Sequence, residues 1–139
     1  MSNLFPILAL DVGDVRVGVA LADAPRQSAT PVDTYERAQG RAELQILKLI
    51  ADRAIAQVVV GLPLGGRGER TEQCQSVEKF VRRLAKRTPV PFVMHDEHLT
   101  TEAAKEWLSA RGKRATPKGP YSIDAVSAAV ILDEYLALS

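Results

Sequence analysis

Val58, Val59 and Val60, three consecutive β-branched residues, centre a short segment from Gln57 to Leu62 that shows no polar face. On a half-solvated sheet polar and apolar residues alternate; a run without alternation needs cover on both sides, as in a sheet flanked by helices. Leu4 to Leu10 is a second run of this kind. The segments flanking Val58–Val60 have the composition of such cover. From Arg41 onward, Leu44, Leu47, Ile50, Ala51 and Ala54 recur at helical spacing, with Arg41, Glu43, Lys48 and Asp52 mostly on the other side. Beyond Pro63 and the glycines 65, 66 and 68, Thr71 is placed to cap a long amphipathic helix whose inner stripe is Cys74, Val77, Phe80, Val81 and Leu84.

The remaining segments fit the same layered plan. Asp11-Val12-Gly13-Asp14 supplies a turn between Leu4–Leu10 and a second strand, Val17 to Ala22, so the two form an antiparallel hairpin. Gly18 inside that strand marks a bulge or a close approach. A weaker strand from Thr30 to Tyr35 contains Pro31, which belongs at a sheet edge. Pro91 to His95 is a short last strand, and Thr100 caps a helix through Arg111 with Ala103, Ala104, Trp107 and Leu108 inward. Gly112 to Tyr121 lacks an apolar pattern and reads as a loop, and Ser122 caps a final helix that is apolar nearly all round and so is buried. The order β-β-β-α-β-α-β-α-α specifies an α/β fold, a mixed sheet with helices on both faces. With no internal repeat, low-complexity tract or linker, residues 1–139 are expected to form one domain.

Composition narrows the classes of function. A hydrophobic fraction of 46% and a charged fraction of 25% are those of a globular chain. A net charge of +1 excludes a uniformly basic, histone-like protein and leaves a local basic face open. Cys74, the single cysteine, cannot pair within the chain and matches no zinc spacing, which fits a reducing cytoplasmic compartment. No secretory leader opens the chain, and no apolar stretch of roughly 18 residues is present to span a bilayer.

In open α/β sheets ligands gather beyond the carboxyl ends of the parallel strands. Asp11 closes the first strand, Asp96-Glu97 the last, and Asp124 lies in the first turn of the final helix. If the first and last strands lie close together, Asp11, Glu97 and Asp124 converge. Three converging carboxylates repel one another, and a divalent cation relieves that repulsion. Taken singly, each residue has a plainer role: Asp11 as a turn residue, Asp124 as a partner of the helix dipole, Glu97 as a solvated strand end. Two features suit an anionic polymer. Arg67 and Arg70 flank the glycine loop, and Arg111, Lys113, Arg114 and Lys118 lead without an intervening acid to Asp124. The loop has no Gly-Lys-Ser/Thr ending, so it is not a P-loop.

Together these residues resemble a known family. Leu10-Asp11-Val12-Gly13, Arg16-Val17-Gly18-Val19-Ala20 and Asp23 resemble the opening motif of the YqgF, or RuvX-like, family. Val60-Gly61-Leu62-Pro63-Leu64 with Gly68 is similar to its second motif, and His95-Asp96-Glu97-His98-Leu99-Thr100-Thr101-Glu102-Ala103 to its third. Ile123-Asp124-Ala125, with Ala128-Ala129 and Ile131-Leu132, is similar to its last. The resemblance implies a ribonuclease H-like fold with a five-stranded sheet, and a cytoplasmic nuclease trimming the 5′ end of the 16S ribosomal RNA precursor. It also implies Asp11, Glu97 and Asp124 as the acidic set holding Mg²⁺ or Mn²⁺, as a pair of ions. Arg16, Arg67, Arg70, Thr100 and Lys118 are the candidate substrate contacts. Val15 and His98 stand where the family usually has lysine and arginine, removing two fixed positive charges.

Three other readings compete. A resolvase cutting DNA four-way junctions would share the fold and metal chemistry and act as a homodimer, where an RNA nuclease can act as a monomer. The Asp11 to Gly18 hairpin also resembles the phosphate-binding hairpin of actin-like and sugar-kinase-like nucleotide-binding domains, although those close two domains around the nucleotide. A non-catalytic RNA-binding assembly factor is the last. The partner expected is nucleic acid, either ribosomal RNA precursor or branched or single-stranded DNA, and not a membrane.

Overall fold

A computed structural model describes residues 4–25, 28–64, 69–96 and 123–137. The elements are β1 (Ile7–Val12), β2 (Arg16–Ala22), β3 (Thr30–Glu36), α1 (Arg41–Asp52), β4 (Gln57–Leu62), α2 (Glu72–Ala85), β5 (Phe92–Asp96) and α3 (Ile123–Ala137). The expected helix from Thr100 to Arg111 and the loop to Tyr121 lie outside the described residues, as does the Ser122 cap.

The five strands form one mixed sheet in the order β3-β2-β1-β4-β5. β1 pairs antiparallel with β2 and parallel with β4, and β4 pairs parallel with β5. β3 is an edge strand, as Pro31 requires, and its pairing with β2 shifts register between Val19 and Ala20.

The two faces of the sheet are built differently. On one, Leu8, Leu10, Val12, Val17, Val19, Val58 and Val60 pack against Ala42, Ile46 and Ile50 of α1 and Val77, Phe80 and Leu84 of α2. On the other, the strands present smaller residues, Ala9, Ala20 and Ala22, together with Ile7 and Val59, to Ala128, Ala129, Ile131 and Leu132 of α3. Small side chains let a helix approach a sheet closely, and α3 is buried without a break from Ala125 to Leu132. α2 follows its sequence reading. Thr71 accepts a hydrogen bond from the Cys74 N–H at 3.2 Å, and Glu72 and Arg82-Arg83 complement the helix dipole.

α1 departs from its sequence reading. Its inward stripe is Ala42, Ile46 and Ile50, whereas Leu44 is 58% exposed and Ala54 lies past the helix at φ 51°. Leu44, Ile46, Leu47, Leu49 and Ile50 crowd one short segment, so spacing permits more than one phase and packing against α2 and the sheet selects it. β5 is likewise displaced by one residue. Pro91 serves only as an acceptor, for the Val58 N–H at 2.9 Å, and Asp96 joins the ladder opposite Leu62.

Candidate active site

Register aligns the carboxyl ends of the parallel strands. Leu10 is level with Val60, Gly61 with His95 and Leu62 with Asp96. Asp11, one residue past Leu10 and one before the end of β1, therefore lies at the level of Gly61 and His95.

Alternation along the strands decides which side chains share a face. Ile7 and Ala9 face α3, and Asp11 follows in the same alternation; on β2, Arg16 and Gly18 share the side of Ala20 and Ala22. Asp11 and Gly18 are direct cross-strand partners. A Cβ placed on Gly18 would fall 1.9 Å from the carbonyl oxygen of Asp124 and 2.2 Å from its carbonyl carbon. The first turn of α3 thus rests on the bare backbone of β2, in the space a side chain would take. Asp11 is the cross-strand partner of Gly18, so the first turn of α3 meets the sheet at the strand pair that carries Asp11. Gly18, read from sequence as a bulge or a close approach, is the latter.

Asp124 accepts a hydrogen bond from Arg16 Nε at 3.1 Å, the two side chains being 31% and 53% exposed. Asp96 alternates with Phe92, which packs on the α1–α2 side, and so lies across the sheet from Asp11. Arg70 is ion-paired with Glu78 of α2. Glu97, which follows β5 directly, lies outside the described residues, as do Arg67, Thr100 and Lys118.

Two supports of this edge carry no local sequence signal. Arg37 donates through Nη1 to the Gly13 carbonyl at 2.7 Å and to Ser76 Oγ at 3.4 Å, and its guanidinium lies 5.0 Å from the centre of the Phe80 ring. Its backbone N–H donates to the Val15 carbonyl at 2.8 Å, so one residue braces the whole β1–β2 turn. Gly13 closes that turn by donating to the Arg16 carbonyl at 2.8 Å, and a Cβ there would meet the same oxygen at 2.9 Å. His95 packs edge-to-face on Tyr135 with centroids 6.1 Å apart and lies 3.5 Å from Glu134 Oε1. Tyr135 in turn donates to Gln57 Oε1 at 3.4 Å, tying the last strand and β4 to α3.

Asp11 and Asp124 are hard oxygen donors on one face of one edge, the donor type that Mg²⁺ and Mn²⁺ take. Among the described residues no group of three or more His, Cys, Asp or Glu side chains gathers into a metal-holding set.

The RuvX family profile, described as Holliday junction resolvase, matches residues 6–138. The chain belongs to the RuvX family. Among relatives, a Chloroflexus aurantiacus protein named "Putative pre-16S rRNA nuclease" is 43% identical over 131 residues, spanning 94% of this chain and 85% of its own. A Corynebacterium jeikeium protein of the same name is 37% identical over 131 residues, spanning 93% of this chain and 84% of its own. Among solved structures, Thermus thermophilus RuvC in complex with a Holliday junction substrate superposes with a TM-score of 0.62 at 17% identity, covering 95% of this chain and 94% of that one. A Fowlpox virus resolvase bound to Holliday junction DNA follows at 0.53 and 9% identity, covering 96% and 99%. The RuvX chain therefore has the ribonuclease H-like fold of RuvC. None of its described helices is long and apolar enough to cross a membrane.

Proposed function

We propose that this RuvX chain is a divalent-metal-dependent nuclease that hydrolyses phosphodiester bonds in the 5′ end of pre-16S ribosomal RNA. The observation that supports the reading is the seating of the first turn of α3, which carries Asp124, on Gly18, the cross-strand partner of Asp11. Relatives at 37–43% identity named for pre-16S rRNA supply the substrate.

Asp11, Glu97 and Asp124 are the residues that would hold Mg²⁺ or Mn²⁺, as a pair of ions. When bound, the cations acidify the attacking water and neutralise charge on the phosphate. Arg16 has a separate task. Its guanidinium is paired with Asp124 and is placed to meet an incoming phosphate oxygen. Arg67, Arg70, Thr100 and Lys118 are proposed as further substrate contacts, and the cytoplasm as the place of action. The brace of Arg37 on the β1–β2 turn keeps Asp11 from drifting, which matters because small displacements of a reacting group cost large factors in rate.

The second reading is a DNA junction resolvase, favoured by the description of the family as Holliday junction resolvase. The deciding experiment compares labelled precursor RNA, single-stranded DNA and a four-way junction, using intact protein and Asp124→Asn, with Mg²⁺, Mn²⁺ or chelator. RNA cut only with metal and not by the variant supports the proposal. Preferential, symmetric cutting of the junction, with dimer formation on it, supports the resolvase. No cutting of any substrate overturns both.

A further inference from the structure

Lys79, Arg82, Arg83 and Lys86 line a cleft of about 190 Å³ on the outer side of α2. Their spacing, i, i+3, i+4 and i+7, places all four on one side of the helix. Among the described residues Arg83 is paired with Glu43 of α1 at 3.3 Å, whereas Lys79, Arg82 and Lys86 have no ion-pair partner. The helix dipole favours cations in the last turn, which accounts for Arg82 and Arg83 but not for Lys79, a turn earlier. Cations at this spacing repel one another, and a helix face that needed only solubility would interleave acids, as Lys48 and Asp52 do on α1. In a chain of net charge +1 this is a local concentration of positive charge. The cleft lies on the α1–α2 side of the sheet, whereas Asp124 and α3 are on the other, so it is no part of the carboxylate site.

We propose that this cleft is a second phosphate-binding surface, which grips the backbone of a structured RNA whose scissile segment lies at Asp11 and Asp124. The choice of RNA rests on the nuclease reading; the choice of phosphate rests on the four cations. From Lys79 to Lys86 the helix advances roughly 10.5 Å, about three nucleotide rises of a strand. The guanidinium groups of Arg82 and Arg83 supply the forked donors that match phosphate oxygens. A grip on a remote segment holds a large substrate in register without adding a group at the reacting bond.

The test is equilibrium binding of a labelled pre-16S RNA fragment in chelator, across a series of salt concentrations. The triple variant Lys79→Gln/Arg82→Gln/Lys86→Gln is compared with Arg41→Gln/Lys48→Gln/Arg53→Gln, which removes the same charge from α1 and its C-cap. The cleft variant is expected to bind about tenfold or more weakly and to lose about two to three units of salt slope, while the α1 variant loses less than one. Lys79→Arg/Lys86→Arg retains the wild-type slope, and matching thermal melts of all variants show that the helix is intact. Equal behaviour of the cleft and α1 variants overturns the proposal. So does unchanged RNA binding with loss of binding to a polyglutamate peptide, which would make the partner an acidic protein. Binding in chelator is independent of cleavage. A chain that cuts nothing yet loses RNA through the cleft variant overturns the nuclease reading alone, and one that cuts RNA yet binds it with unchanged slope overturns the cleft alone.

Discussion

Gly18 and Asp124 are packed backbone to backbone: a Cβ on the first would sit 1.9 Å from the carbonyl oxygen of the second. Neither main chain can yield without lifting α3 from β2 or bending the strand that pairs with Asp11. Gly18→Ala is therefore expected to destabilise the fold by about 2–3 kcal/mol or more, as overpacking in a close-packed interior does. That corresponds to a fall in Tm of roughly 10 °C for a chain of this size. Nuclease activity should fall further than stability does at temperatures where the variant is still folded, because the displaced element carries Asp124. Thermal unfolding with cleavage assays well below Tm checks both; a variant with wild-type Tm would contradict the close approach.

The Arg16–Asp124 pair is of a different kind, because both partners are substantially exposed. Water screens such pairs, and Arg16→Gln is expected to change stability by less than about 1 kcal/mol. Its effect should appear in binding instead. Loss of one phosphate contact weakens nucleic-acid affinity and lowers the salt slope by about one unit. Divalent-cation affinity should rise, since the fixed charge that competes for Asp124 is gone. Calorimetric titration with Mn²⁺, beside RNA binding in chelator, separates the two effects; a fall in Mn²⁺ affinity would remove Arg16 from the role of counter-charge.

The strands were the most legible part of the molecule. Val58–Val60 and the residues before Leu10 had no polar face, and Pro31 placed β3 at an edge, where it is found. The inward stripe of α2 was legible as well, because its apolar residues are separated by charges and admit one phase. In α1, Leu44 competes with Ile46 for the inward position, and only the surroundings of Ile46 decide between them. The close approach at Gly18 was legible as one of two options for a glycine inside a strand. The seat of α3 on β2 was not, since it depends on a contact between Gly18 and a helix more than a hundred residues later. Arg37 left no trace at all, because its partners Gly13, Ser76 and Phe80 are recruited by folding and not by spacing.

Arg37 yields a prediction for that reason. Arg37→Ala removes a charged hydrogen bond to the Gly13 carbonyl and the stacking on Phe80, a combined loss of about 2–3 kcal/mol. Arg37→Lys should recover only part of it, since a single ammonium cannot both sit over the ring and reach Gly13 and Ser76 as a guanidinium fork does. Urea unfolding measures the loss. Hydrogen exchange at Gly13, whose N–H is bound to Arg16, locates it: protection there should fall more than at Val58 in β4.

Tyr35 contributes to the alkaline dependence of stability. Burial lifts its phenol above the usual value of 10.0 and Asp33 beside it adds to the lift, with Arg53 opposing. In the unfolded chain the same phenol ionises at its ordinary value. Above that value the unfolded state holds fewer protons at this site than the folded state, so stability falls as pH rises. The contribution is present in full below pH 10 and is lost as pH rises from there through the folded value. Tyr35→Phe cannot ionise, so its denaturant midpoint should decline less than that of the intact chain across roughly pH 9 to 12. Phenolate absorbance gives an independent check, because Tyr35 should titrate late in the folded protein and that component should be missing from Tyr35→Phe. Identical alkaline profiles for the two proteins would place the lost stability elsewhere and leave the half-buried phenol without a role in it.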